Sequence, residues 1–365
     1  MKHRISVGIV AALVALVMAA PAFGAGQSQV GAAAQPKVIV FAAASLNHVF
    51  PAMVKPFKAA YPKYRNVRFV FNFNGTDVLQ TQLQNGAPCD LFAGANTTIP
   101  AALFTGGFLN RPVNFCQNKL VVIVPKGNPA KLKSLVDLTN PGVEIAIGDA
   151  TVPVGKYTRT VLTNLNAAYP QFTTPDTYSA LVLKNVVSTE INVSAVVALV
   201  QINEVDAGFV YWSDYKYGFE HGTISRFRLT IPNHYQSNPL PTYPIAVAKK
   251  ATRPGAAAAF MSFVLRNSQG QKLLVDYGFL PKPVPAITTI APTSGLAGSS
   301  VTITGKNFGT VGSVRFGGTT ATTTAWSPTS ITATVPASLA PGASKVTVKS
   351  GQLVSKAVTF TVVAP

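Results

Sequence analysis

Val38-Ile39-Val40-Phe41-Ala42-Ala43-Ala44-Ser45-Leu46 decides the fold of the larger part of this chain. Residues 38–41 are a continuous apolar run rich in β-branched side chains, the pattern of a strand covered on both faces in a parallel sheet. Three alanines end the run without adding bulk, so the backbone can turn closely past whatever lies beyond the strand's carboxyl end. Ser45 stands at the place of an N-cap. The segment after it, residues 46–61, repeats apolar side chains at helical spacing: Leu46, Val49, Phe50, Met53, Val54 and Phe57. A hydroxyl beside free amides and the positive end of a helix is a place for an anion. A plain helix cap is the alternative that this stretch alone leaves open.

Outward from that stretch, residues 36–283 alternate short apolar runs with helical patterns, which predicts an α/β layer fold. Strands are expected at 38–41, 67–72, 91–95, 120–124, 144–148, 208–211 and 245–248. Helices are expected at 46–61, 78–85, 153–165, 193–203 and 254–275. Several helix starts repeat the chemistry of the first. Phe73-Asn74-Gly75-Thr76-Asp77 places a glycine and a hydroxyl before residue 78, Pro153 suits a first helical turn with Gly155 beside it, and Asn192 can cap the helix from Val193. Tyr211 closes an apolar run ahead of polar Ser213 and Asp214. Four helix openings and a phenol could converge on one anion.

At Pro281-Lys282-Pro283-Val284-Pro285 the texture changes, and the proline run reads as a semi-rigid spacer. Beyond it, Lys306, Arg315, Lys345, Lys349 and Lys356 are the charged side chains and no acidic one occurs. Alternating runs at 300–304, 330–335 and 344–349, parted by Gly and Pro turns, predict a small antiparallel sandwich.

The 365 residues are 48% hydrophobic and 12% charged, enough for two or three compact units with substantial cores. Thirty Lys and Arg against twelve Asp and Glu give a net charge of +18, spread without basic blocks. No nucleic-acid-binding motif accompanies the charge, so that class is set aside. A basic start (Lys2, His3, Arg4), an apolar stretch over residues 5–20 and small residues around Gly24 read as a secretory signal peptide over residues 1–24. An uncleaved anchor is its alternative, and with no cysteine after the apolar stretch a lipoprotein anchor is not expected. Cys89 and Cys116, the two cysteines, each precede an apolar run. A disulfide between adjacent strand starts and two free buried thiols both fit that placement.

Taken in order, Val-Phe-Ala-Ala-Ala-Ser-Leu (40–46), Gly-Ala-Pro-Cys-Asp-Leu-Phe (86–92), Asn-Lys-Leu-Val-Val-Ile-Val-Pro (118–125), Ile-Gly-Asp-Ala-Thr-Val-Pro-Val-Gly-Lys-Tyr (147–157), Asp-Ala-Gly-Phe-Val-Tyr-Trp-Ser-Asp (206–214) and Tyr-Pro-Ile-Ala-Val (243–247) resemble the periplasmic molybdate-binding proteins of ABC importers. The resemblance spans residues 37–279 and implies a two-lobed type II periplasmic-binding-protein fold. The solute-binding unit is then 37–283, with lobe I at about 37–119 and 232–283 and lobe II at about 120–231. It also implies a tetrahedral dianion, molybdate or tungstate, held by the hydroxyls of Ser45 and Thr76, the amides of Val154 and Val193, and the Tyr211 hydroxyl. An importer permease is the implied partner, with no cofactor and no metal cation. The site departs from the family pattern in two places. Thr76 sits where serine is usual and brings Asp77 near, which is expected to point away or to cap the helix. Trp212 follows the tyrosine and is expected to close the cleft or pack against the tail.

The tail resembles the IPT/TIG immunoglobulin-like family through Ile290-Ala291-Pro292-Thr293-Ser294-Gly295, Gly298, Val301-Thr302-Ile303-Thr304-Gly305-Lys306-Asn307-Phe308-Gly309, Val314-Arg315-Phe316-Gly317-Gly318 and Pro341-Gly342. That implies an all-β module over 286–365 that binds or spaces and does not catalyse.

Three classes of function follow. The leading one is an exported, monomeric oxyanion receptor at the periplasm or cell surface, with sulfate or phosphate as other candidate anions. A cell-surface adhesion or glycan-binding protein working through the tail is the second, and Trp326 is the tail's one tryptophan for that purpose. An enzyme is the third, but His48, His221 and His234 stand in no nucleophile or metal-ligand spacing and read as solvated surface residues.

Overall fold

The first strand is covered on both sides because its two faces serve two cores. In the computed structural model, which describes residues 35–282, 284–309, 311–350 and 353–365, Lys37–Ala43 pairs in parallel with Arg68–Asn74 on one side and with Leu91–Ala93 on the other. Val38, Val40 and Ala42 point into an aromatic cluster built by Phe50, Phe57, Phe260 and Phe263. Phe41 points the opposite way, toward Leu79, Leu83 and Phe92. Interleaved edge-to-face rings, such as Phe57 and Phe260 at 5.3 Å, add specific contacts to the buried area.

The six-stranded sheet of this first lobe runs in the order Leu280–Pro281, Val113–Gln117, Thr242–Val247, Leu91–Ala93, Lys37–Ala43, Arg68–Asn74. Thr242–Val247 is antiparallel to both neighbours, so a late piece of chain lies in the middle of an early sheet. Buried Asp90 fixes that return. Its carboxylate accepts from the Ile39 amide at 2.8 Å, the Thr252 amide at 2.6 Å and hydroxyl at 3.0 Å, and the Arg253 amide at 2.9 Å. Four donors satisfy a carboxylate that burial would otherwise penalise.

Between Gln117 and Thr242 the chain builds a second sheet, in the order Val186–Glu190, Ile145–Gly148, Ala207–Tyr211, Leu120–Ile123, Arg228–Leu229. The helices Pro153–Leu165 and Val193–Gln201 pack on it through Val161, Leu162, Leu165, Val196 and Val200. Close approach explains one glycine here: a Cβ on Gly208 would meet Val200 and Val196 at 2.8 and 2.9 Å.

The tail's strands close around a third core of Val301, Ile303, Val314, Phe316, Ile331, Val346, Val348 and Phe360. The long strand Thr319–Trp326 ties its two ladders together, pairing with Ser313–Phe316 at one end and Ser330–Thr334 at the other. Alternation sets the inward face, with Val301 and Ile303 buried between exposed Ser300, Thr302 and Thr304.

The cysteine pairing does not form, and both thiols are free and buried. Thr242–Val247 runs between the strand that carries Cys116 and Leu91–Ala93, which Cys89 precedes. The two residues also belong to different cores. Cys89 Sγ donates to the Leu91 carbonyl at 3.2 Å, and burial pushes its thiol up to about 12 and that of Cys116 well above the usual range. The leader expected at residues 1–24 lies outside the described residues. Among those described, no helix is long and apolar enough to cross a membrane.

Candidate functional site

Past Ala43 the chain enters a single 3₁₀ turn, Ala44–Leu46, and the helix proper begins three residues later at Val49–Ala60. Ser45 therefore does not cap that helix, as the spacing had allowed. Its side chain is buried and turned inward, with Oγ 2.9 Å from the Tyr243 hydroxyl. Thr76 opens the helix Thr76–Gln84 behind Gly75, and its Oγ1 accepts from the Ala95 amide at 3.0 Å. A hydroxyl whose lone pair is taken by an amide keeps its proton free to donate elsewhere.

The second lobe brings two helix starts opposite. Pro153 begins Pro153–Leu165, where a missing N–H costs nothing. Gly155 allows that helix to dock, since a Cβ there would lie 1.8 Å from the Asp149 carbonyl oxygen. Asn192 caps Val193–Gln201 by accepting from the Ala195 amide at 3.1 Å, and its Nδ2 donates across the cleft to Asn74 Oδ1 at 3.3 Å. First-turn amides such as those of Val154 and Val193 have no carbonyl within their own helix to bond, which leaves them available to a ligand. Tyr211 ends the strand Ala207–Tyr211 with its hydroxyl buried and without a partner.

Ser45, Thr76, Val154, Val193 and Tyr211 line one cavity together with Asn74, Gly75, Ala95 and Asn192. Its volume, as space open to the centre of a water-sized sphere, is about 20 Å³. None of its lining residues carries a charge. The Arg159 guanidinium, on the helix Pro153–Leu165, is occupied by the carbonyls of Gly148 and Gly155 at 2.9 and 3.1 Å. Burial pushes the Tyr211 and Tyr243 phenols well above their ordinary range, so both keep their protons at neutral pH. Asp214 accepts from the Tyr211 amide at 3.2 Å, and burial pushes its carboxyl up to about 7.

Three sequence expectations are corrected here. Asp77 makes no capping hydrogen bond; its buried Oδ1 is without a partner, and the Gly75 position is squeezed between it and the Ile191 carbonyl. Trp212 is absent from the cavity lining and packs against the second lobe's core. It stacks beside Tyr215, with Lys119 Nζ 4.9 Å and Arg228 Cζ 4.7 Å from its ring. His48 is half-buried and lies flat on Tyr217 of the opposite lobe at 3.4 Å, so it belongs to the lobe contact rather than to open surface; His221 and His234 are exposed. Tyr243 and Asn118, which sequence reading passed over, bond the site from behind.

Residues 38–280 match the family model for bacterial extracellular solute-binding proteins, and residues 285–362 match that for the IPT/TIG domain. The molybdate-binding protein ModA of Mycobacterium tuberculosis strain H37Rv is 33% identical over 276 residues, which cover 75% of this chain and 95% of that relative. ModA of Escherichia coli K12 is 28% identical over 254 residues, covering 67% and 90%. Among solved structures, the periplasmic molybdate-binding protein of Azotobacter vinelandii is similar with a TM-score of 0.55 at 19% identity, covering 67% of this chain and all of that one. The sulfate-binding protein SubI of M. tuberculosis H37Rv gives 0.57 at 20%, covering 67% and 87%. At such identities the two structures speak for the fold alone.

Proposed function

The chain belongs to the bacterial extracellular solute-binding proteins, with an IPT/TIG domain joined behind that unit, and we propose that it captures molybdate or tungstate outside the cytoplasm and delivers it to the permease of an ABC importer. Solute-binding proteins of this kind are transport components and not enzymes. In this reading the leader at residues 1–24 exports the chain, and the tail spaces it from, or attaches it to, a cell-surface or wall partner.

One observation carries the proposal. A small cavity between the lobes is lined by two hydroxyls, two helix starts and a phenol, with no charged residue among them. A bare dianion needs every lone pair met by a fixed donor, and converging dipoles provide this without a cation in contact. The excess of basic residues raises the local anion concentration from a distance. The named relatives at 33% and 28% identity support molybdate as the solute.

The glycan-binding alternative asked for exposed aromatics on the tail. Trp326 is half-buried, and its indole N–H donates to the Gly309 carbonyl at 3.2 Å, which counts against that reading. Calorimetric titration of the exported chain with molybdate, tungstate, sulfate and phosphate tests the proposal. Submicromolar binding of the first two is expected, and a preference for phosphate overturns it. Ligand at a hundredfold excess over its dissociation constant should add about 2.7 kcal/mol of stability.

A further inference from the structure

Ser45 lines the cavity, but its hydroxyl also has a neighbour behind it, the Tyr243 hydroxyl at 2.9 Å. Two hydroxyls alone leave the direction of donation open. The direction is set one residue further back. Asn118, buried at the crossing between the lobes, accepts with Oδ1 from the Lys119 backbone amide at 3.0 Å. A backbone amide can only donate, so the carboxamide oxygen faces Lys119 and its Nδ2 faces the hydroxyls. Nδ2 lies 2.9 Å from Ser213 Oγ and 3.5 Å from the Tyr243 oxygen. It has two protons and no capacity to accept. Tyr243 therefore accepts from Asn118, and its single proton goes to Ser45 Oγ. Ser45 in turn has its own proton left for the cavity. Thr76 reaches the same state in one step, because Oγ1 accepts from the Ala95 amide. The lining's two side-chain carbonyls are both occupied, Asn74 Oδ1 by the Gly75 amide at 2.8 Å and by Asn192 Nδ2, and Asn192 Oδ1 by the Ala195 amide at 3.1 Å.

We propose that Asn118 and Tyr243 are positioning residues that hold the Ser45 proton toward the cavity, so that the first lobe favours a fully deprotonated oxyanion over one that must itself donate. The proposal rests on the oxyanion reading above and goes beyond it by naming what sets the choice of anion. Molybdate, tungstate and sulfate at neutral pH accept at all four oxygens. Hydrogen phosphate must place an O–H against an acceptor; Ser45, with its proton held toward the cavity and a lone pair taken by Tyr243, is the poorer partner for it, and the Tyr211 hydroxyl is the acceptor that remains in the lining. A buried donor left facing another donor loses its hydrogen bond outright. Asp77, the carboxylate closest in sequence to the site, is outside the cavity lining.

The test is a double-mutant cycle on the exported full-length chain, titrated calorimetrically with molybdate, sulfate and phosphate at neutral pH. Tyr243→Phe keeps the ring and removes the hydroxyl. It should weaken molybdate binding about tenfold in the wild-type background, and hardly at all in the Ser45→Ala background, because it acts through Ser45. It should also narrow the molybdate-over-phosphate ratio several-fold, since a released Ser45 can turn and accept. Additive losses in the cycle, or equal weakening of every anion, overturn the relay and leave Tyr243 a packing residue. Asn118→Asp is the second variant should Tyr243→Phe not fold. A carboxylate cannot donate, so the relay runs backwards and the same ratio should narrow further; an unchanged ratio overturns the proposal. The ratio cancels the added charge to first order. Wild-type protein that binds sulfate in preference to molybdate corrects the named anion and leaves the cycle to be run with sulfate. Wild-type protein that binds none of the three overturns both readings.

Discussion

The two walls of the cavity donate by different means. In the first lobe the donors are side chains, Ser45 and Thr76, each held from behind by a partner distant in sequence. In the second lobe they are helix-start amides at Val154 and Val193, supplied by backbone geometry whatever the side chain, and a Tyr211 hydroxyl with no support. The first wall is therefore sensitive to substitution and can be tuned. The second is robust, because a helix start brings its free amides with it.

Substitution of each wall would break or sharpen that contrast. The largest effect is expected from Ser45→Ala, which removes a donor to a charged ligand and should weaken binding by about 1.5–3 kcal/mol. It also strips Tyr243 of its acceptor, so the unliganded protein should lose about 1 kcal/mol in chemical unfolding. Tyr211→Phe should cost similar or slightly less affinity. Its hydroxyl has no partner to lose, however, and the unliganded melting temperature should hold or rise; a clear drop would place Tyr211 with the supported donors of the opposite wall.

Asp214→Asn probes what the second wall stands on. The fold holds this proton up to about 7, whereas an unfolded chain releases it near 3.8. The raised carboxyl favours the fold at low pH, and that contribution is lost as pH rises between those values. The amide variant should flatten this slope and be more stable than the wild type at pH 8, by on the order of 1–2 kcal/mol. Melting curves across that range decide it, and parallel profiles for the two proteins would refute it. Val154→Ala should be the mildest, changing affinity by less than about 0.5 kcal/mol because the backbone donor survives. A loss as large as that of Ser45→Ala would mean that the side chain, and not the amide, shapes the cavity.

Sequence reading reached the second wall more completely than the first. The Pro153 start and the Asn192 cap are local signals, written within four residues of the structure they produce. Ser45 was legible as a polar residue at a turn, but not as the end of a hydrogen-bonded chain, because Tyr243 lies 198 positions away. Tyr243 reads as one more aromatic in a strand, and Asn118 as a polar residue between two strands. Asp90 escaped for the same reason, since its four donors come from Ile39 and from residues 252–253. The cysteines misled through proximity to strand starts: neighbouring positions in sequence order proved to be separated by an intervening strand and to face different cores. Gly75 and Asp77 sat in a recognisable helix start, yet the carboxylate makes no capping bond there, and a Cβ on Gly75 would meet both its Oδ1 and the Ile191 carbonyl from the other lobe at 2.7 Å.

The place of Thr242–Val247 in the first sheet has a consequence for how the molecule comes into being. This strand separates Val113–Gln117 from Leu91–Ala93, so residues 37–117 emerge from the ribosome, or from an export channel, as a sheet with a gap at its centre. Among the described residues no earlier strand fills that gap. The second lobe is contiguous, and all five of its strands have appeared once Leu229 is out. Vectorial synthesis thus lets the later lobe close while the earlier one still waits, with its apolar strand Leu91–Ala93 unpaired on the flank that Thr242–Val247 will cover. The N-terminal half is the part of this protein in need of protection until the return segment is delivered.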